Sequence, residues 1–224
     1  MKRIILLSFL FIFSISTFAE RKDLTKFLGI PIDGTKSEMI KKLKEKGFKN
    51  SYIDRDALEG EFNGEDVYLY IVTDKNKVWR ICVFDKLSRE EEQIKLRFNK
   101  LCSQFENNEK YTKGLLNDTT YTIPDDEDIS YNISLEKKKY SASYLQIMDK
   151  EFLKWYYPKL IELKNKETDQ LTKDETAILF SETLRMLENL KNKTVWFKID
   201  KYKIGYRILM YYDNLYNCSN GEDL

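Results

Sequence analysis

A run of four acidic residues is the densest group of potential metal ligands in the sequence: Asp125, Asp126, Glu127 and Asp128. Carboxylate oxygens are the ligands that Ca²⁺ takes in proteins, so the run is a weak candidate for a cation site. It lacks the alternating acidic positions and the glycine of an EF-hand loop. A solvated turn before the next strand explains the same residues without a metal. We therefore predict no bound metal and no cofactor.

Histidine is absent from the sequence, which removes the Ser-His-Asp and Cys-His pairs and makes a catalytic zinc site improbable. No glycine-rich phosphate loop, dinucleotide fingerprint or nucleophile elbow is present either. One enzyme class that this composition still permits is a glycoside hydrolase with two carboxylates. Candidates for such a pair are Asp54, Asp56, Glu59 and Glu61. We predict a protein without catalytic activity, and a carboxylate-pair hydrolase acting on glycans is the alternative.

Alternating residue types in the segment 66–72 indicate a strand with two different faces. Positions 67, 69 and 71 are aliphatic, whereas positions 68 and 70 are tyrosine. If the aliphatic face packs on helices, the tyrosines lie on the uncovered face, where they stabilise neighbouring strands or form a binding platform. Aromatic residues on later strands would extend this surface. The predicted binding face is Tyr68, Tyr70, Trp79, Tyr206 and Tyr212.

The N-terminus has the three parts of an export signal. Lys2 and Arg3 are its positive start, residues 4–16 its apolar core, and residues 17–19 a small-x-small cleavage site. The apolar core is shorter than the roughly 20 residues that span a bilayer. We expect residues 1–19 to be a signal peptide cleaved after Ala19, and the mature protein to be periplasmic or extracellular without membrane insertion. Its formal charge of −1 gives no basis for nucleic-acid binding.

The three cysteines are too few for a disulfide scaffold in an exported chain of this length. Cys82 falls in a strand pattern and Cys102 in a helix pattern, where buried free thiols are common. Cys218 lies in a polar stretch near the C-terminus. A Cys102–Cys218 disulfide is the pairing that stays open.

Three capping boxes mark helix starts: Thr35 with Glu38, Ser88 with Glu91, and Thr172 with Glu175. Gly47 is placed to end the first helix in a Schellman cap, which would bring Leu43 and Phe48 together. The third helix has an apolar stripe at helical spacing: Ala177, Phe180, Leu184 and Leu187.

Strand patterns fill the intervals between these helices. Asn63-Gly64 is a strong hairpin turn signal between the strands 58–62 and 66–72. Further strands are expected at 78–84, 128–135, 139–147, 195–199 and 203–212. Pro158 interrupts a segment of helical spacing, residues 151–167, which we interpret as a helical or irregular insertion.

These elements predict an α+β fold, an antiparallel sheet with helices packed on one face. Two related α/β units in tandem would account for the order of the elements. Their bounds would be residues 20–113 (helix, three strands, helix) and 114–224 (strands, insertion, helix, strands), or the two would form one continuous domain.

Three segments carry a resemblance to a known family: "FLGIPIDGTKSEMIKKLKEKGF" (27–48), "IPDDEDISY" (123–131) and "MYYDNLYN…NGEDL" (210–224). They resemble a family of uncharacterised secreted proteins of gut Bacteroides- and Prevotella-type bacteria. That resemblance implies export and no particular activity. The Gly-Thr helix start before an antiparallel sheet is also loosely similar to β-lactamase-inhibitor-protein and outer-membrane-assembly lipoprotein units, which implies only a fold.

The sequence therefore predicts an exported α+β protein that works by binding. Its partner is expected to be a protein or a glycan that contacts the uncovered sheet face. A structural component of the envelope is the remaining alternative. A deep acidic cleft would favour the hydrolase, whereas a shallow aromatic face would favour binding.

Overall fold

A computed structural model describes residues 22–113, 121–167 and 170–219. The predicted signal peptide, residues 1–19, lies outside the described residues. The strands are β1 (Lys26–Phe27), β2 (Ile30–Pro31), β3 (Lys49–Asn50), β4 (Ala57–Phe62), β5 (Glu65–Asp74), β6 (Lys77–Asp85), β7 (Tyr111–Lys113), β8 (Ser141–Gln146), β9 (Thr194–Tyr202) and β10 (Gly205–Asp213). The α-helices are α1 (Lys36–Glu45), α2 (Glu91–Glu106), α3 (Ile129–Ser134), α4 (Lys150–Tyr156), α5 (Pro158–Lys164) and α6 (Lys173–Lys191).

One antiparallel sheet organises the molecule, with the strand order β3-β4-β5-β6-β10-β9-β8-β7. The short strands β1 and β2 form a separate hairpin. The predicted α+β class is confirmed. The sheet crosses the predicted boundary at residues 113/114, because Cys82 of β6 lies opposite Tyr211 of β10. The two predicted units therefore share one sheet.

Helix α1 begins and ends as its sequence predicts. The Thr35 hydroxyl accepts a hydrogen bond from the Glu38 amide at 3.3 Å, and the Glu38 carboxylate accepts one from the Thr35 amide at 2.9 Å. At the other end Gly47 has φ +100°, a conformation that glycine adopts without strain. The Phe48 amide donates to the carbonyl of Leu43, which completes the Schellman cap.

Helix α2 begins without the predicted capping box. Its N-cap is Glu90, which makes no side-chain capping bond. The Ser88 hydroxyl donates to the carbonyl of Tyr202 on the sheet, and the Glu91 carboxylate accepts from the amide of Ile129. The prediction was wrong here because both side chains bind residues distant in sequence, which a local pattern cannot include.

The main core lies between one face of the sheet and helices α1, α2 and α3. The helices contribute Met39, Leu43, Ile94, Phe98, Leu101 and Ile129, all nearly inaccessible to solvent. Val67 and Leu69 of β5 face them from the sheet, as the alternation predicted. Burial of this apolar surface stabilises the fold by roughly 25 cal/mol per Å².

Residues 128–135 form helix α3 and a following turn, so the predicted strand in this segment is wrong. Asp128 caps the helix by accepting from the Tyr131 amide at 2.7 Å. Ile129 and Ile133 both contact the main core, and they are four residues apart. The apolar residues of this segment are therefore spaced in a way that fits one face of a helix as well as one face of a strand.

Helices α4, α5 and α6 form a second cluster around Leu145, whose side chain points to the opposite side of β8 from Tyr144. Pro158 separates α4 from α5, as predicted for a helical insertion. Phe180 and Leu184 of α6 are 66% and 46% exposed, so the expected stripe does not form the buried side of this helix. Within the described ranges, no helix is long and apolar enough to cross a membrane.

Candidate functional site

The sheet face opposite α1–α3 presents aromatic side chains on four neighbouring strands. Tyr68 of β5 lies opposite Phe84 of β6, and Tyr211 of β10 lies opposite Trp196 of β9. All four are half-buried. We call this surface the open face; it comprises Tyr68, Tyr70, Trp79, Arg80, Phe84, Trp196, Tyr202, Arg207 and Tyr211.

The rings of the open face form a continuous row across the sheet. The ring centres of Tyr70 and Phe84 are 5.2 Å apart, and those of Phe84 and Tyr211 are 5.8 Å apart. Tyr211 in turn stacks on Trp196, with 4.1 Å between centres and 20° between planes. Such aromatic pairs add about 0.5–1.5 kcal/mol each beyond their buried area.

Arg80 holds one end of this row in place. Its guanidinium lies 4.3 Å from the centre of Trp79, 5.0 Å from Tyr211 and 5.5 Å from Trp196. Two of its nitrogens donate to the carboxylate of Asp213 at 2.6 and 2.7 Å, and Trp196 Nε1 donates to the same carboxylate at 3.0 Å. Burial alone would lower the pKa of Arg80, but the hydrogen bonds and charge of Asp213 raise it.

Arg207 lies near the middle of the open face. Its guanidinium is 3.8 Å from the ring centre of Tyr202 and 5.4 Å from that of Phe84. Its Nε–H is buried and donates to no partner at hydrogen-bond distance within the described part of the chain; the carboxylate of Asp200 is 3.9 Å away. The Arg207 guanidinium is thus stabilised mainly by cation–π contacts with aromatic rings.

Tyr70 connects the row to the loop before β4. Its hydroxyl donates to the carboxylate of Asp54 at 2.9 Å. Burial and this hydrogen bond raise the pKa of Tyr70 to about 12. The phenol therefore stays neutral at any physiological pH and keeps the loop fixed to the sheet.

Three of the five predicted face residues lie on the open face, and two do not. Tyr68, Tyr70 and Trp79 are there, with Trp79 at a β-bulge between β5 and β6. Tyr206 and Tyr212 are only 6% and 4% exposed and belong to the main core under the helices, so their predicted exposure is wrong. Their positions are an even number of residues from the buried Ile208, which places them on the same strand face.

The sequence reasoning missed most of the open face. Phe84, Trp196 and Tyr211, together with both arginines, were not among the predicted residues. A usable signal exists in β10, where Arg207 and Tyr211 share one side of the strand and Ile208 and Met210 share the other. An arginine on the odd-numbered side indicates that this side faces away from the core.

The acidic run 125–128 serves folding contacts. Asp128 is the cap of α3, and the Glu127 carboxylate accepts from Asn132, Lys138 and Tyr140. These bonds, that of Lys138 first, lower the pKa of Glu127. Asp125 and Asp126 are exposed. No group of three or more potential ligands in the described ranges is arranged to hold a metal ion.

Of the four candidate hydrolase carboxylates, two are hydrogen-bonded to other side chains and two are exposed. Asp54 accepts from Tyr70, and Glu59 accepts from Lys86 at 3.0 Å. The hydrogen bond from Lys86 lowers the pKa of Glu59, whereas a general acid for glycoside hydrolysis needs a raised one. Asp56 and Glu61 are exposed.

All three cysteines are free thiols, so the Cys102–Cys218 disulfide that was left open is not formed. Burial raises the pKa of Cys82 to about 12 and that of Cys102 to about 11. A thiol with a raised pKa is a poor nucleophile at neutral pH. The buried pair therefore acts as small apolar side chains.

The chain was compared with family models, curated proteins and solved structures, and none of these comparisons found a match. The resemblance noted in the sequence stays a prediction.

Proposed function

We propose that the chain is an exported binding protein that holds a protein partner on its open face. The observation that carries this proposal is the row from Tyr70 through Phe84 and Tyr211 to Trp196, flanked by two arginines on aromatic rings. Trp, Tyr and Arg are the residues that contribute most to protein–protein binding energy. They are also enriched at interfaces relative to the rest of a protein surface.

Rigidity favours the same function. The rings lie on paired strands, and Arg80 is fixed by two bonds to a carboxylate that is itself nearly buried. Side chains that are already ordered lose little conformational entropy when a partner binds. A face spread over several strands offers broad contact area, which suits a folded protein better than a small solute.

The carboxylate contacts favour binding over the hydrolase alternative. Glu59, on the same face, is paired with Lys86 and its pKa is lowered. It is therefore ionised at neutral pH, which fits a polar rim around an aromatic centre.

The binding proposal is tested with two matched substitutions. The double variant Tyr68→Ser/Tyr70→Ser removes two rings from the open face, and Tyr131→Ser removes a 51% exposed tyrosine from α3 on the other side of the sheet. Envelope extract of the source organism is passed over immobilised wild type and both variants, and captured proteins are quantified by mass spectrometry. We expect the double variant to capture at least about tenfold less partner than the wild type. Tyr131→Ser should capture the same amount as the wild type.

Three outcomes would contradict the proposal. Equal capture by the wild type and the double variant would place binding elsewhere. A fall of the melting temperature as large as that of a core variant would show that the tyrosines hold the fold. Capture of glycans on an array by the wild type, with no protein captured, would assign the face to carbohydrate.

The export part of the proposal has its own test. When the full chain is expressed in a Gram-negative host, the exported protein should begin at Glu20, because residues 17–19 are the small-x-small site after the apolar core. Intact-mass analysis decides this. An exported pool that retains residues 1–19 would contradict it.

A further inference from the structure

A cavity of about 930 Å³ opens in the helix-covered side of the molecule, away from the open face. It lies over β10, between the β1–β2 hairpin on one side and the C-terminal half of α2 on the other. Small-molecule sites in proteins span roughly 300–1,000 Å³. The cavity is therefore large enough for a small organic ligand.

The floor of the cavity is apolar. It is formed by Phe62, Leu101, Phe105, Met210 and Tyr212, which belong to the main core or pack against it. Core side chains that line a cavity leave apolar surface without a packing partner. A ligand that covered this surface would gain the corresponding burial energy.

One end of the cavity is polar, and its acids already have partners. Asp23 accepts from the Lys193 ammonium and from the Asp149 amide. Asp149 accepts from the first amides of α4. Gln146 exchanges two hydrogen bonds with the backbone of Lys26.

Lys26 is the half-buried lysine at this end, and it lacks a counter-ion among the described residues. Its ammonium has no carboxylate within salt-bridge distance in the part of the chain that the structure describes, although Asp149 is near enough to feel its charge. Burial, and to a smaller extent the charge of Lys26, lowers the pKa of the neighbouring Lys193. Lys26 and Lys193 are thus close enough to interact, while Asp23 and Asp149 act on the pKa of Lys193 in the opposite direction.

We propose that this cavity binds a small amphipathic carboxylate, with its hydrocarbon part on the apolar floor and its carboxylate on Lys26. The four other charged side chains on the lining are all exposed: Glu61, Glu109, Lys110 and Lys150. A carboxylate ligand would supply the salt bridge that Lys26 lacks, as a charge-assisted hydrogen bond.

Three probes of equal chain length test the head group on the wild-type protein: dodecanoate, dodecanol and dodecyltrimethylammonium. Dodecanoate and the ammonium compound are titrated below their micellar concentrations, and dodecanol below its solubility limit, by isothermal titration calorimetry. We expect saturable binding of dodecanoate, with dodecanol weaker by at least about tenfold and the ammonium compound weaker still. Equal affinity of dodecanoate and the ammonium compound, or no saturable binding of dodecanoate, would overturn the proposal.

Two variants test the location. Lys26→Gln removes the charge, and Gln104→Trp fills the opening from an exposed position on α2. We expect each to weaken dodecanoate binding at least about tenfold, whereas Lys41→Gln on the exposed side of α1 changes nothing. Unchanged binding in both variants would overturn the proposed site. The probe series uses only wild-type protein, so it decides the outcome even if a variant fails to fold.

A last measurement separates free carboxylates from membrane lipid. Vesicles of phosphatidylglycerol present the same hydrocarbon chains in esterified form. We expect no co-sedimentation of the protein with these vesicles. Vesicle binding that is lost in Gln104→Trp, without dodecanoate binding, would assign the cavity to a lipid surface and overturn the free-carboxylate proposal.

Discussion

Tyr211 and Tyr212 are neighbours in the chain and lie on opposite faces of the same sheet. Tyr212 is 4% exposed and packs edge-on against Phe27 at 5.0 Å, inside the main core. Tyr211 stacks on Trp196 and stays half-buried beside Arg80. The residue type is the same, but the neighbours differ: Phe27 and Phe62 surround Tyr212, whereas Trp196, Phe84 and Arg80 surround Tyr211. Whether an aromatic side chain in this sheet is a core residue or a surface residue therefore depends on which face of the sheet it lies on.

The sharpest test of this contrast is to truncate each of the two tyrosines. Tyr212→Ala leaves a cavity in the core and should lower the free energy of unfolding by about 3–5 kcal/mol. Tyr211→Ala removes a half-buried ring with its contacts to Trp196, Phe84 and Arg80, and should cost about 1–2 kcal/mol. Urea unfolding followed by circular dichroism measures both. Equal losses for the two variants would erase the distinction between the faces.

A second, smaller effect is expected from Asp213 and Asp200, the aspartates next to the two arginines of the open face. Asp213 is nearly buried and holds both Arg80 and Trp196, so Asp213→Ala leaves a partly buried arginine without its counter-ion. We expect a loss of about 2–3 kcal/mol, below the 3–5 kcal/mol of a fully buried pair because Arg80 is partly exposed.

Asp200 is the matched control, since it lies 3.8 Å from Lys198 and 3.9 Å from Arg207 and is more exposed. Asp200→Ala should cost less than about 1 kcal/mol. Chemical unfolding of the two variants side by side decides this. If Asp213→Ala lowers the free energy of unfolding no more than Asp200→Ala, Arg80 is not fixed by the Asp213 carboxylate.

The smallest effect concerns Tyr70→Phe, which removes only the hydrogen bond to Asp54. We expect a loss of about 0.5–1.5 kcal/mol at pH 7. Because the folded pKa of Tyr70 is raised to about 12, the bond stabilises the protein fully below the unfolded value near pH 10. That stabilisation is lost as the pH rises from about 10 to about 12.

Absorbance at 295 nm gives the titration of Tyr70 as the difference between wild type and Tyr70→Phe. A difference curve centred near pH 10 would mean that this phenol is no more buried than a free tyrosine. A stability difference between the two proteins that persists unchanged at pH 12 would also contradict the assignment.

Local chemistry let the sequence predict several elements correctly. The Asn63-Gly64 turn joins β4 to β5 with both residues at positive φ, as a tight hairpin requires. The α1 and α6 capping boxes are present with both reciprocal bonds. In each case the partners lie within a few residues, so the sequence contains the whole interaction.

The failures depend on partners that are distant in sequence. Ser88 has the spacing of a cap but binds a carbonyl on β9. Tyr206 and Tyr212 were placed on the exposed side because which side of β10 faces the helices depends on the β6–β10 pairing. Phe84, Trp196 and Arg207 become one surface only through the same pairing. The candidate site was therefore predicted for Tyr68 and Tyr70 of β5 and Trp79 of β6, and missed where the two halves of the sheet meet.

That central pairing also constrains the order in which the protein can fold. Arg80 and Asp213, which are joined across β6 and β10, are 133 residues apart in the chain. Closing so long a loop is entropically costly, and contacts of this kind slow folding. A chain emerging from the ribosome cannot complete its sheet until its last strand has been synthesised. Such delayed closure keeps the nascent polypeptide unfolded for longer, which is the state that the proposed export through a narrow translocation channel would require.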